Sequence, residues 1–342
     1  MNVFFLYFLI NSFVVILEYL QKVTHFSFIR FFELFILNPE EGIFNMTFDN
    51  FIQFVVMGLS LGAMYSLISI GYTIIYGILK LINLAHGDFF MLAGFLGMWG
   101  ALYYGVPLWL SLVFGLALTV GVILFVNWFI YRPLRQYKMA AFTSTFAISM
   151  IVQASVIMFL SARAQAFPHP DFLNTPIKIG NIIIPMVTPF IIVIALILFG
   201  ILTLIVNKTK IGRAMRAVSL DMEMVTLMGV NVENVIAFSF ALSVVYAGMG
   251  AYLWGMRYPA FDPNIGVVTG LKGFIGAVIG GIGSIPGAML GGFLLGFAEI
   301  MLIGFFPQYT NFRDIFSYAI MIIFLLFRPG GIFNVKIREE KV

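Results

Sequence analysis

The feature that most constrains the fold of this 342-residue chain is a succession of apolar runs, each about as long as a bilayer is thick. A helix needs about 20 mostly apolar residues to cross the hydrocarbon core, and only helices and closed barrels satisfy their backbone polar groups there. Hydrophobic residues make up 61% of the chain and charged residues 10%. The sequence therefore predicts an all-α integral membrane protein, a polytopic helical bundle of about 8–10 transmembrane helices.

The apolar runs that follow residue 46 divide into about nine spans. They lie at 50–76, 83–104, 107–130, 139–161, 183–206, 235–255, 267–282, 286–303 and 313–327. An outer loop with three prolines precedes the fifth span, and an irregular outer turn at 256–266 precedes the seventh. Some of the joining turns are short, so two neighbouring spans could instead form one re-entrant hairpin.

Lysine and arginine residues indicate which ends of the spans face the cytoplasm, because cytoplasmic loops carry an excess of them. Lys80, three residues of the 131–138 loop, four of the 207–235 loop and four after the last span account for 12 of the 19. We therefore expect these loops and the 336–342 tail in the cytoplasm, and a multi-pass membrane domain over 46–335.

Residues 1–45 form an N-terminal extension that is apolar and aromatic at 3–17. It makes a poor signal peptide, because no basic residue precedes the apolar run and no small-residue cleavage site follows it. It is either an extra span, an interfacial helix, or a consequence of a mis-assigned start. Met46 is an alternative start, with Asp49 or Asn50 predicted to cap the next helix.

Several classes of chemistry are excluded by what the sequence lacks. There is no cysteine, and the three histidines are scattered, so thiolate chemistry and a histidine metal cluster are not expected. The chain has no P-loop and no H-E-x-x-H motif. Its basic residues lie in short loops rather than on one face. We expect no catalytic site, no metal, no cofactor and no nucleic-acid partner; lipid surrounds the chain.

The charged loop at 207–235 carries a second local pattern. Asp221 is predicted to cap a helix over 222–228, Glu223 suits the positive end of that helix, and Gly229 suits a left-handed stop. On this helix Met222 and Val225 point one way, while Met224 and Leu227 point nearly opposite. An ordinary solvated connector would not need two apolar faces. The pattern favours one face packed on the protein and one docked on a partner.

Ionisable residues inside the spans are few. Asn83, His86 and Asp88 lie at the start of the second span, where they either cap the helix or line a pathway. Glu299 lies well inside a later span and either pairs with a partner subunit or faces a central cavity. Small-residue series, which let backbones approach closely, are predicted to pack helices together; they comprise Gly58 with Gly62, and Gly283 with Gly287 and Gly291.

Four segments together resemble one family: 58–97 (GLSLGAMYSLISIGYTIIYGILKLINLAHGDFFMLAGFLG), 212–242 (GRAMRAVSLDMEMVTLMGVNVENVIAFSFAL), 270–299 (GLKGFIGAVIGGIGSIPGAMLGGFLLGFAE) and 313–334 (RDIFSYAIMIIFLLFRPGGIFN). They are similar, in order and spacing, to the H-type permease subunits of branched-chain amino acid ABC importers. The resemblance starts near residue 46 and implies a transport subunit without its own ATPase site, located in the plasma (inner) membrane of a bacterium. It further implies a second homologous permease subunit, two cytoplasmic ATPase subunits that bind the ATP, an extracytoplasmic substrate-binding protein and a small amino-acid substrate.

The resemblance also implies a role for the charged loop. Arg216, Ala217, Asp221 and Gly229 correspond to the family's ATPase-contacting segment, and we expect the same role for their neighbours Gly212, Arg213, Glu223, Met224 and Leu227. The alternatives are an ABC permease for urea or short amides, a stand-alone secondary transporter, and a structural scaffold.

Overall fold

The structure is a computed structural model that describes residues 47–333, apart from the side chain of residue 174. The extension at 1–45 and the tail at 336–342 lie outside the described residues. The helices, in chain order, are α1 Phe48–Leu79, α2 His86–Tyr104, α3 Leu108–Val126, α4 Arg132–Leu134, α5 Lys138–Phe159, α6 Val187–Lys208, α7 Lys210–Leu220, α8 Met222–Leu227, α9 Val232–Arg257, α10 Ile265–Gly280, α11 Ile285–Phe305 and α12 Arg313–Phe327.

The described residues also contain four short strands, β1 Gln165–Ala166, β2 Pro176–Ile179, β3 Ile182–Pro185 and β4 Ala260–Phe261. They pair antiparallel as β1–β4 and β2–β3. A π-helical turn at Asn127–Tyr131 joins α3 to α4, and 3-10 turns lie at Asp171–Asn174 and Pro307–Phe312. Helices dominate the fold, and the predicted all-α membrane class is confirmed.

Seven segments within the described range are long and apolar enough to cross a membrane; they contain α1, α3, α5, α6, α9, α11 and α12. The two remaining predicted spans correspond to α2 and α10. The α2 helix carries His86 and Asp88 in its first turn. With 16 residues, α10 is about 24 Å long and shorter than a full crossing.

The central helix of the bundle is α1, a 32-residue helix that packs most extensively against α11. Glycines make this approach possible, because a Cβ added at Gly62 would lie 2.5 Å from the backbone oxygen of Phe293. A Cβ at Gly58 would meet Phe297 at 3.1 Å, and glycines of α10 and α11 meet one another in the same way. The predicted packing role is confirmed for Gly58, Gly62, Gly287 and Gly291, whereas Gly283 lies in the turn before α11 with a φ of +102°.

Hydroxyl side chains cap two of the membrane helices. Thr47 caps α1, accepting a hydrogen bond from the Asn50 backbone at 3.3 Å, so the predicted cap by Asp49 or Asn50 is wrong. The Asp49 carboxylate instead accepts from the Asn181 side chain at 3.2 Å. Ser284 caps α11 through the Gly287 N–H at 3.1 Å.

Ion pairs tie two of the basic loops to one another. Arg135 Nη1 lies 2.8 Å from Glu233 Oε1, and Arg132 Nε lies 3.4 Å from Glu233 Oε2. Glu233 is in the first turn of α9, at the end of the 207–235 loop. The 131–138 and 207–235 loops therefore lie on the same side of the bundle, as the charge pattern predicts.

The segment between α9 and α10 is extended rather than helical. Phe261 of β4 is fully buried, with its ring 5.3 Å from that of Phe95 and 5.6 Å from that of Phe167. The sequence predicts an irregular turn here but not the pairing with β1. The buried strand fixes where α10 starts, and α10 positions part of the polar site described below.

Candidate coupling helix and intramembrane polar site

The local structure of α8 follows the sequence prediction. Asp221 caps the helix, and its Oδ1 accepts a hydrogen bond from the Met224 backbone N–H at 3.0 Å. Gly229 follows the helix with φ of +82°, in the left-handed region that glycine adopts without a Cβ penalty. Glu223 lies in the first turn. The predicted helix is confirmed, one residue shorter at its end.

The two apolar faces of α8 are also as predicted. Val225 is only 6% exposed and packs within the hydrophobic core, with Met222 partly buried beside it. Met224 is 57% exposed and Leu227 is 82% exposed. A six-residue helix is not stable alone in water, so α8 depends on the face that it buries against the body. Its opposite face is left open to solvent or to a partner.

The α7 helix links α8 to the end of α6. Thr209 caps α7 through the Gly212 N–H at 3.1 Å, and Gly212 itself lies against the backbone of Val206. The Arg216 guanidinium donates to the Val206 carbonyl at the end of α6. Arg213 is exposed and Ala217 is partly buried. The α7 helix is thus held against the end of α6, and α8 follows it directly along the chain.

The polar residues at the start of α2 connect helices instead of capping one. The Asp88 carboxylate accepts a hydrogen bond from Ser149 of α5 at 2.5 Å, and the N-cap position of α2 is Ala85. The capping interpretation of Asp88 is therefore wrong. Asn83 Oδ1 accepts from the Ala85 N–H at 3.2 Å and from the Tyr131 hydroxyl at 3.3 Å.

His86 is fully buried at the same place. Its ring lies edge-on to that of Tyr72, with centroids 4.6 Å apart, and it fills the space left by the missing side chain of Gly71. The structure brings Asn83, His86 and Asp88 to one buried region between α1, α2 and α5. It does not bring them to Glu299.

Glu299 is at the centre of a second polar cluster. Its carboxylate lies 2.9 Å from Lys272 Nζ of α10 and 2.9 Å from Arg313 Nε of α12. The hydroxyl of Tyr65 donates to it at 3.2 Å and that of Ser317 at 3.3 Å. The side chains of Glu299 and Lys272 are each 1% exposed. The carboxylate is therefore satisfied within the chain.

Asp314 completes the charge balance of this cluster. Its Oδ1 lies 2.7 Å from Lys272 Nζ and 3.7 Å from Arg313 Nε, and its side chain is 49% exposed. Two cations and two carboxylates thus sum to zero. Burying a charge in a low-dielectric environment is costly unless it is paired and hydrogen-bonded, and this arrangement meets that requirement.

A cavity of about 230 Å³ opens beside the charged cluster. Its lining combines the cluster's cations with aromatic, polar and aliphatic residues of α1, α9, α10 and the extended segment before α10; they are Tyr65, Trp254, Asp262, Asn264, Ile265, Val268, Thr269, Lys272 and Arg313. Asn264 is exposed and Val268 is 42% exposed, so the cavity reaches the surface of the chain along one side of α10.

Comparison with known proteins identifies the family. The family described as "Branched-chain amino acid transport system / permease component" matches residues 54–325, which is most of the chain. The protein belongs to this family. The permease is 36% identical to the high-affinity branched-chain amino acid transport system permease protein BraD of Pseudomonas aeruginosa, over 83% of this chain and 95% of the relative. It is 34% identical to the corresponding protein LivH of Escherichia coli K12, over 82% and 95%.

The permease thus has two features that stand apart from lipid-facing packing, the exposed face of α8 and the cavity beside Glu299. Sequence reasoning found α8 and Glu299 but missed Tyr65, Trp254 and Asp262. A signal for Arg313 and Asp314 existed, because two adjacent charges precede an apolar run there. No local pattern connects them to Glu299, since the contact depends on how α10, α11 and α12 pack.

Proposed function

We propose that the permease is the membrane-spanning subunit of an ATP-driven importer for branched-chain or other small amino acids. ATP is hydrolysed by two separate cytoplasmic subunits, and a second homologous permease completes the pathway. A binding protein outside delivers the substrate. The protein is an inner-membrane protein of a bacterium with its C-terminus in the cytoplasm. The substrate class is taken from what the relatives BraD and LivH are named for.

The observation that carries the proposal is the unpartnered face of α8. Leu227 is 82% exposed, Met224 is 57% exposed and the adjoining Met228 is 80% exposed, on a short helix whose other face is packed in the core. Exposed apolar patches of this kind mark interaction sites. The helix follows four basic residues at the end of α6 and in α7, as a cytoplasmic surface requires. An ATPase subunit is the partner that such a surface serves in a transporter.

The proposed mechanism is alternating access. When ATP draws the two ATPase subunits together, α8 moves with them, and its attachments to α7 and α9 carry the motion into the bundle. The hydrogen bond from Arg216 to Val206 passes the displacement to α6. Because α6 and α9 pack on α1, a movement at α8 changes the side of the membrane to which the substrate pathway opens. ATP drives transport because the assembled transporter binds it with different affinity in the two states, which open the cavity to opposite sides of the membrane.

The test is to replace Met224 and Leu227 with Asp together. We expect amino-acid uptake and co-purification of the ATPase subunits to be lost, because two charges would be buried unpaired at the docking surface. Insertion into the membrane should be unchanged, since both side chains face away from the body. Ile179→Asp is the matched control; this residue is 62% exposed on the β2–β3 hairpin, at the other end of α6.

The control should retain the ATPase subunits. Normal uptake by the Met224→Asp/Leu227→Asp variant would refute the role of α8. Active transport by the purified permease alone in liposomes, driven by an ion gradient without ATP, would replace the proposal with a secondary transporter. Competition by urea or acetamide, but not by leucine, would assign the substrate to short amides.

A further inference from the structure

We infer that the cavity beside Glu299 is a substrate site for a zwitterionic, apolar amino acid, with Lys272 and Arg313 facing its carboxylate, Asp262 its ammonium group and Trp254 its side chain. The inference rests on the proposed function and adds to it the residues that recognise the substrate. It begins with the cavity's size. Pockets for drug-sized ligands measure about 300–1,000 Å³, so a cavity of about 230 Å³ suits a smaller solute.

The carboxylate end is defined by donors that the charged cluster does not use. Within the described residues, both ion pairs of Arg313 run through Nε. A guanidinium has five N–H donors in a planar fork, so its two terminal amino groups keep four donors for a ligand. Lys272 gives two of its contacts to Glu299 and Asp314, and an ammonium group has three N–H donors. Both cations line the cavity.

The ammonium end is defined by Asp262. Its Oδ1 accepts a hydrogen bond from the Asn264 backbone N–H at 2.7 Å, which holds the side chain in place. No Lys or Arg among residues 47–333 forms an ion pair with it, although it lines the same cavity as Lys272 and Arg313. A carboxylate that lines the same cavity as two cations provides a partner for each charged group of an amino acid. A hydroxyl from Thr269 and an amide from Asn264 add further hydrogen-bonding groups.

The remaining wall is apolar. Trp254 packs against the rings of Tyr65 and Tyr258, with centroid distances of 6.0 and 4.8 Å, and these contacts hold it in position. Ile265 and Val268 of α10 add aliphatic surface. Apolar walls with a few placed polar groups are the usual composition of a small-molecule site. They suit an aliphatic side chain better than a sugar or a polar amide.

The charge balance of the cluster has a consequence for affinity. Because Glu299 and Asp314 already neutralise Lys272 and Arg313, a substrate carboxylate must share these cations with them. The site is therefore expected to hold its substrate weakly. Weak binding allows release, which a pathway needs when capture is the task of a separate binding protein.

The first test uses the fact that the chain contains no cysteine. A Val268→Cys variant places a thiol in the cavity wall, and Ile179→Cys places the control thiol on the exposed hairpin. In membranes that contain the assembled transporter, leucine should slow labelling of the Val268→Cys thiol by a maleimide. Leucinamide, which lacks the carboxylate, and 4-methylpentanoate, which lacks the ammonium group, should protect less. Labelling of the Ile179→Cys thiol should not change.

The second test removes one charge without disturbing the turn. Asp262→Asn keeps an oxygen to accept from the Asn264 N–H, and Asp171→Asn removes the same charge from an exposed outer turn. Loss of one charge-assisted hydrogen bond to the substrate weakens its binding by about tenfold. We expect Asp262→Asn to lower leucine uptake by about that factor while ATPase co-purification stays normal. In the Val268→Cys background it should weaken protection by leucine but not by 4-methylpentanoate.

The outcomes separate this inference from the proposed function. If the transporter imports leucine, but leucine leaves the labelling rate of Val268→Cys unchanged and Asp262→Asn transports normally, the site is overturned and the importer stands. In that case the cluster only stabilises the bundle. If the assembled transporter imports no amino acid, the proposed function fails first. Equal protection by leucine, leucinamide and 4-methylpentanoate would also overturn recognition of the zwitterion.

Discussion

The α8 helix and the cluster around Glu299 differ in how the chain builds them. All of α8 and its cap lie within a few consecutive residues, from Asp221 to Gly229. The cluster draws on four helices, and its Tyr65 and Glu299 are 234 positions apart. The first is a local structure with an unpartnered surface, and the second is a long-range structure whose charges are satisfied internally.

This difference agrees with the proposal that α8 docks on another protein. Two charged groups of the cluster, Glu299 and Lys272, are buried with partners at hydrogen-bonding distance. The outward residues of α8, by contrast, have their large apolar surfaces exposed. A substitution in the cluster should therefore act first on the stability of the chain. A substitution on the outer face of α8 should act on association and leave stability nearly unchanged.

The largest loss of folding stability is expected from Glu299→Ala. It leaves Lys272 and part of Arg313 in a low-dielectric environment without their shared carboxylate, which typically costs about 3–5 kcal/mol. The amount of folded protein extracted in mild detergent and its thermal unfolding temperature should both fall. Glu223→Ala is the matched control, because Glu223 is exposed on α8 and should change unfolding little.

A double variant sharpens this prediction. Lys272→Met with Glu299→Met removes one charge of each sign and leaves Arg313 beside Asp314, at 3.7 Å. Replacing a buried ion pair by apolar residues of similar volume is often neutral or stabilising. We expect the double variant to recover most of the lost stability. A Glu299→Ala protein as stable as the wild type would show that the cluster is not a buried charge network.

A smaller loss of folding stability is expected from a substitution at the contact between α1 and α11. Gly62→Ala places a methyl group 2.5 Å from the Phe293 carbonyl oxygen, which cannot move without displacing the backbone of α11. Overpacking of this kind costs about 1–3 kcal/mol. Gly200→Ala is the matched control, because a Cβ at that position of α6 meets nothing within 4 Å. Thermal unfolding in detergent should separate the two variants, and equal unfolding temperatures would contradict the close approach.

The same contrast explains how much of the molecule can be predicted from sequence. The bundle, the α8 helix, its cap and its two faces follow from local patterns, because spacing and cap chemistry determine them. The interpretation of Asp88 as a cap fails for a long-range reason. Its partner Ser149 is on α5, and only packing brings them together. The cavity beside Glu299 is hidden from sequence for the same reason, because Trp254 and Asp262 reach it from different segments.

The smallest effect on stability is expected from Asp221→Ala. Loss of an N-cap typically costs about 1 kcal/mol. This is large relative to the stability of a six-residue helix but small relative to that of the whole bundle. The unfolding temperature of the permease should therefore hardly change, while co-purification of the ATPase subunits and amino-acid uptake both decrease.

Asp221→Asn distinguishes the cap from the charge. Asn is as good an N-cap as Asp, so it should keep the hydrogen bond to the Met224 N–H and retain normal uptake. If Asp221→Asn failed as Asp221→Ala does, the carboxylate would act through its charge on a partner, and the order of α8 would not be the quantity that matters. If both variants transported normally, α8 would not need its cap to dock, because the partner would supply the order that the isolated helix lacks.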